Sequence, residues 1–163
     1  MIRIAAGLAA ALILAACATA ETPPPAPSAA APAYDADLAA RLGADEYGMR
    51  PYVLVLLMTG PMDAEIRDPE TRGAIFAGHF ANMQRLSDEG HLILAGPLGG
   101  ENGRRGLFLF NTADVEEARS WAATDPAVEA GIFTLEVSTW YGSASLLLTP
   151  ELHKTLQARG ITD

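Results

Sequence analysis

One stretch, Glu70 to Leu98, carries a pattern from which the rest of the chain can be read. On a wheel advancing roughly 100° per residue, Ile75, Leu86, His79, Arg72, Met83, Phe76 and Phe80 fall in that order within an arc of about 140°. Asn82, Arg85, Asp88, Glu89 and the alanines Ala74, Ala77 and Ala81 take much of the opposite face. The pattern predicts an amphipathic helix ending at Gly90, whose φ freedom suits a C-cap, followed by a strand over His91 to Leu98. Upstream, Pro51 to Met58 is apolar without alternation from Tyr52 onward, as in a strand covered on both faces, so it is expected at the centre of a sheet. Thr59 to Pro69, with Gly60, Pro61, Asp68 and Pro69, reads as a turn-rich loop.

Downstream, Gly99, Gly100, Glu101, Asn102 and Gly103 join the His91 strand to a second one over Arg104 to Phe110, an arrangement expected of a hairpin. A second helix is predicted from Asp114, which stands at capping-box spacing from Glu117. It turns Val115, Ala118 and Ala122 inward and stops before Asp125 and Pro126. Ile132 to Tyr141 alternates, with Phe133, Leu135 and Val137 on one side and Thr134, Glu136 and Ser138 on the other, and reads as the last strand. Pro150 to Arg159 is expected to form a short terminal helix, and Asp35 to Leu42 can form another ahead of the domain. The order strand, helix, strand, strand, helix, strand is the split βαβ, or ferredoxin-like, arrangement of the α+β class, built on a four-stranded antiparallel sheet. Both helices of such a fold cover one face of the sheet. A second copy of the chain is the simplest cover for the other, so a homodimer is expected.

The front of the chain has a different character. Arg3 precedes an apolar run of about 13 residues, too short to span a bilayer and of the length of a secretory h-region. It ends in Leu14, Ala15, Ala16 and Cys17, which resembles the bacterial lipobox, whose cysteine is acylated and becomes the mature N-terminus. Cys17 is the only cysteine. Pro23, Pro24, Pro25, Pro27 and Pro32 among alanines then make a semi-rigid tether that cannot bury a core. The expected division is a signal segment over 1–16, a lipidated Cys17 with its tether over 17–48, a folded domain over 49–148, and a terminal helix and tail over 149–163. Ala18 after the cysteine resembles lipoproteins sorted to the outer membrane, so the expected location is the cell envelope, lipid-anchored on the periplasmic face of that membrane.

Acidic residues outnumber basic ones 20 to 11, for a net charge of −9. The clustered lysines and arginines that neutralise phosphates are missing, which argues against nucleic acid as a partner. Arg104 and Arg105 are the local exception and read as a solvated loop tip. The glycines at 96, 99, 100, 103 and 106 fit neither GxGxxG nor a phosphate-binding loop. His91 and His153 show no metal-ligand spacing with His79. No GxSxG is present. Neither a metal nor another cofactor is expected.

Two segments resemble a known family. "GHFANMQRLSDEGHLILAGPL" from Gly78 to Leu98 and "EEARSWAATDPAVEAGIFTLEVSTWY" from Glu116 to Tyr141 are similar to the YciI-like, or YCII-related, proteins. The resemblance covers about Pro51 to Leu148 and implies a dimeric α/β barrel of the muconolactone isomerase type. It also implies that His79 and Asp125 correspond to an active-site pair proposed for the family, one relative of which is a chlorinated-hydroquinone dehydrochlorinase. Many relatives carry Arg three residues before the His, where this chain has Phe76; Arg72 lies one turn further back.

The candidate chemistry therefore centres on His79, an ionisable ring inside an apolar stripe. Loss of solvation there lowers its proton affinity and a nearby carboxylate raises it, so it can serve as a general acid/base. The alternative is a structural histidine bonded to Asp125. Asp125 itself suits an ordinary helix start ahead of Pro126, and one carboxylate can cap and hold an imidazole at once. Arg72, Phe76, Met83, Gly96 and Pro97 are the expected ligand-binding residues, Gly96 and Pro97 because they would let backbone approach the His79 pocket. Two functions follow as expectations: an acid/base enzyme of isomerase, lyase (dehydrochlorinase) or hydrolase type acting on a small organic molecule, or a non-catalytic binding or accessory lipoprotein.

Overall fold

The computed structural model describes residues 33–160. Cys17, the signal segment and the first half of the tether lie outside the described residues. From Asp35 onward the chain forms one compact unit. Helix α1 (Ala36–Arg41) leads to strand β1 (Met49–Thr59), and Arg50 Nη1 donates to Leu42 O at 3.1 Å to hold the connecting turn. Helix α2 (Pro69–Asp88) follows, then β2 (Leu92–Pro97), β3 (Arg104–Phe110), α3 (Val115–Ala123), the short α4 (Pro126–Glu129), β4 (Phe133–Ser143) and α5 (Thr149–Leu156).

The helix ends have local causes. Asp68 caps α2 by accepting from the Thr71 amide at 2.8 Å, with Pro69 in the first turn, where its missing N–H costs nothing. At the other end Gly90 has φ +78°. Its amide donates to Ser87 O at 3.0 Å and that of His91 to Leu86 O at 2.9 Å, the paired bonds of a Schellman stop. The second predicted helix is α3, capped by Asp114 and ended at Ala123, before Asp125 and Pro126. Asp125 restarts the chain as the cap of α4, its Oδ1 accepting from the Ala127 amide at 2.9 Å.

The sheet order is β2-β3-β1-β4 with every pairing antiparallel, the ferredoxin-like α+β arrangement. The uninterrupted apolar strand β1 is central. Its odd positions Val53, Val55 and Leu57 join Phe108, Phe110, Leu86, Ala118, Ala122 and Ala127 in the core under α2, α3 and α4. Apolar burial of this kind is worth about 25 cal/mol per Å², and it is what fixes the helices on that face. Tyr52, Ile93 and Leu109 form a smaller cluster on the other face. Leu146 and Leu147, from the 3₁₀ turn Ala144–Leu148, pack on that face from the same chain. Leu94 and Trp140 stay about 40% exposed.

Two predicted details change. Asn82, placed by the wheel on the outer face of α2, is buried. The helix packs on two sides, its apolar stripe against the sheet and a second stripe against the α3–α4 turn, where Asn82 Oδ1 accepts from Arg85 Nη2 at 2.8 Å and Thr124 Oγ1 at 3.2 Å. Arg105 is not a free loop tip. The register slips between Leu57↔Gly106 and Met58↔Arg104, which leaves Arg105 as the extra residue of a β-bulge, a device that re-aims a side chain.

Candidate active site

His79 sits on the buried side of α2 with its side chain 9% exposed, and Asp125 is wholly buried. Their meeting depends on how closely two backbones approach. Gly78, the residue before the histidine, lies against Pro126, the residue after the aspartate. A Cβ on that glycine would stand 3.0 Å from the proline Cγ, and the missing side chain lets α2 settle onto the turn. His79 Nδ1 then lies 2.6 Å from Asp125 Oδ2. A carboxylate oxygen only accepts, so Nδ1 is the nitrogen that bears the proton in the neutral ring, leaving Nε2 with its lone pair. Among the described residues no hydrogen bond is made by Nε2. Asp125 is bonded through both oxygens, one to the imidazole and one to the Ala127 amide, which holds the pair as a rigid unit.

The ring is walled by aromatics. Phe76 and Phe133 meet it in T-shaped contacts at centroid distances of 5.9 and 5.7 Å, Phe108 stacks at 6.0 Å and Phe80 lies at 5.3 Å. Phe108 and Phe133 come from β3 and β4, so the site is assembled from one helix, one turn and two strands. Such an enclosure strengthens electrostatic interactions within it.

Beside this wall stands a charged cluster. Asp63, in the loop after β1, accepts from Arg72 Nη2 at 2.6 Å through one oxygen and from Arg105 Nη1 at 2.7 Å through the other. The Arg72 bond holds the Asp63 carboxyl below its ordinary value against the opposing effect of burial, and Arg105 adds to the same shift. Arg72 lies over the Phe76 ring at 5.3 Å and Arg105 over Phe133 at 5.6 Å. Each guanidinium is thus one aromatic ring away from the imidazole.

The structure brings together His79, Asp125, Phe76 and, through Phe76, Arg72. It does not bring Gly96 to them. Gly96 pairs with Leu107, on the sheet face away from His79, and Pro97 ends β2 opposite Gly106. The two glycines at 96 and 106 serve the strands instead: a Cβ on Gly106 would stand 3.1 Å from Gly96 O. Met83 lines a separate open groove of about 430 Å³ between α2, β2 and α5, which His79 does not line. Asp63, Arg105, Phe108 and Phe133 stand beside the candidate site and are missed by sequence reasoning. The first sits in a loop without periodicity, and Arg105 owes its direction to a bulge. Among the described residues no three His, Cys, Asp or Glu side chains are grouped so as to hold a metal, and no helix is long and apolar enough to cross a membrane.

The model of the YCII-related domain matches residues 53–141, more than half of the chain. The chain belongs to the YCII-related domain family. Protein YciI of Escherichia coli O6:H1 is 33% identical over 72 residues, which is 39% of this chain and 74% of that protein. An uncharacterized protein of Haemophilus influenzae is 35% identical over the same length and the same shares. Among solved structures, 5-chloro-2-hydroxyhydroquinone dehydrochlorinase from Burkholderia phenoliruptrix, in complex with 2,5-dihydroxybenzoquinone, is similar with a TM-score of 0.41 and 18% identity, over 55% of this chain and 92% of that one. Within this YCII-related chain the family match begins at Val53 and ends at Tyr141, so it spans α2, the α3–α4 turn and every strand that lines His79.

Proposed function

We propose that the chain is a small-molecule enzyme working by general acid/base catalysis, with His79 as the group that moves the proton and Asp125 as the group that positions it. The observation carrying this reading is the 2.6 Å contact between His79 Nδ1 and a buried Asp125 oxygen. It directs the basic Nε2 away from the carboxylate, as a base that must meet a substrate requires. Isomerisation, elimination and hydrolysis all need such a transfer, and a single imidazole can first take a proton from carbon or water and then return it to the product or leaving group. Phe76 and Phe80, half-buried beside the imidazole, suit a flat organic substrate. His79→Gln is expected to lower kcat by about 10²-fold or more on any substrate found by screening hydroxylated aromatics and enolisable ketones. Equal turnover by the variant defeats the reading.

A binding protein without catalysis is the second reading. It is favoured by Asp125 having a complete structural duty as the α4 cap, and ligands that bind the wild-type protein without turnover would establish it.

The front of the chain supports a lipid anchor on Cys17, followed by the proline-rich tether, with the domain held at the periplasmic face of an outer membrane. Palmitate incorporation that disappears in Cys17→Ser tests this. A homodimer through the partly covered sheet face completes the proposed assembly.

A further inference from the structure

We infer that the site carries a carboxylate subsite on Arg105, next to His79, and that the molecule it takes is a small planar carboxylate. The inference rests on the acid/base reading of His79 for what happens at the other end of that molecule.

The argument starts from the unused donors. Arg105 engages Asp63 through Nη1 alone. Among the described residues Nε and Nη2 make no hydrogen bond, and these two N–H groups form one edge of the guanidinium, spaced to meet two carboxylate oxygens side by side. Its side chain is 31% exposed, so the residue is within reach of a molecule in solution. Arg72 differs: it spends Nη1 on the carbonyls of Asp63 and Ile66 and Nη2 on the Asp63 side chain. Arg72 therefore props the cluster, while Arg105 is left to bind.

Charge balance points the same way. Two guanidiniums share one carboxylate, so the cluster retains a positive charge in a chain whose net charge is −9. Long-range repulsion slows the approach of an anion to such a chain, yet contact with a bidentate guanidinium is short-ranged and sets the choice among molecules that arrive. The bulge supplies the last step: without the slip after Leu57, Arg105 would project with Leu107 and Leu109 to the other sheet face. It lies instead over Phe133, which makes a T-shaped contact with His79. The guanidinium and the imidazole lie 5.6 and 5.7 Å from the Phe133 centroid, and the proposed molecule lies along that ring, with its carboxylate on Arg105 and its reacting end toward Nε2.

The test uses 4-hydroxybenzoate and its neutral isostere 4-hydroxybenzamide at about pH 7, titrated into the intact protein with calorimetric Kd and the ¹⁵N resonances of the His79 ring as readouts. The acid is expected to bind about tenfold or more tightly than the amide, as a charge-assisted pair implies. Arg105→Gln should erase that preference and leave the weak amide affinity in place, with the protein still unfolding in one cooperative transition, moved to slightly lower denaturant by the lost Asp63 bond. Equal affinity for acid and amide, a preference that survives Arg105→Gln, or binding of neither probe overturns the subsite. An Arg105-dependent preference that leaves the His79 resonances unmoved keeps the subsite and counts against the acid/base reading, so the two can fail separately.

Discussion

Gly78 faces Pro126 with room for a hydrogen and little more, since a methyl group on the glycine would lie 3.0 Å from Cγ and 3.4 Å from Cβ of the proline. Gly73, on the same helix, has nothing within 4 Å. Replacing an exposed helical glycine by alanine stabilises by about 0.5–1 kcal/mol, and Gly73→Ala is expected to show that gain in urea unfolding. Gly78→Ala should show none, because overpacking costs about 1 kcal/mol or more. If both alanines stabilise equally, close backbone contact is not what seats α2 on the Asp125 turn.

Asp125→Asn separates the two duties of the aspartate. The amide oxygen can still cap Ala127, so stability should fall by no more than about 1 kcal/mol. Its NH₂ then faces His79 Nδ1, which must accept and move its own proton to Nε2. Long-range ¹H–¹⁵N spectra of the ring are expected to report an Nδ1–H tautomer in the wild-type protein and an Nε2–H tautomer in the variant, with turnover falling in step. Asp125→Ala, by contrast, removes the cap and strands a buried N–H, for a loss of about 2–4 kcal/mol. An unchanged tautomer in Asp125→Asn would contradict the assigned hydrogen bond.

The architecture is legible in the sequence because the strands and helices of this chain obey their periods. Tyr52 to Met58 marks a central strand, Phe133 to Ser138 alternates as a one-sided one does, and the turn residues fall where the chain reverses. The pairing of His79 with Asp125 comes from the family resemblance, since residues separated by 46 positions carry no local signal of contact. Asn82 is misplaced by the wheel because a single stripe has no way to represent a helix that packs on two sides. Arg105 escapes for a similar reason: period-two reasoning assumes an unbroken ladder, and one extra residue after Arg104 inverts the direction of its side chain. Asp63 is silent, its partners being fixed by a loop closing onto Arg72 and Arg105.

The acid limb of stability should carry the mark of Asp63. Its folded-state carboxyl lies below the ordinary value of 3.8, first through the Arg72 bond and further through Arg105. A depressed carboxyl contributes stability that is present above the unfolded-state pKa and is lost as pH falls through the folded-state value. Asp63→Asn is therefore expected to unfold at lower denaturant than the wild-type protein at about pH 7, with the gap closing as pH falls below about 4. A gap that stays constant over that range would mean the cluster is held by shape and not by charge.

The sheet face supplies the test of assembly. Leu146 and Leu147 cover the end of it near Tyr52, Ile93 and Leu109, which leaves Leu56, Leu107, Glu136 and Trp140 on the same face with Leu56 and Leu107 half-buried and the other two exposed. A half-covered apolar strip of this kind suits a second copy of itself, related by a two-fold axis so that each strip meets its equal. Light scattering of the wild-type protein is expected to give twice the chain mass. Leu107→Asp should give the single mass, because the twofold axis brings two like charges into one desolvated interface, while the cooperative unfolding of the separated chain persists since the aspartate then faces water. A wild-type protein that is already monomeric at high concentration removes the homodimer and leaves the turn over 144–148 as the cover that this face has.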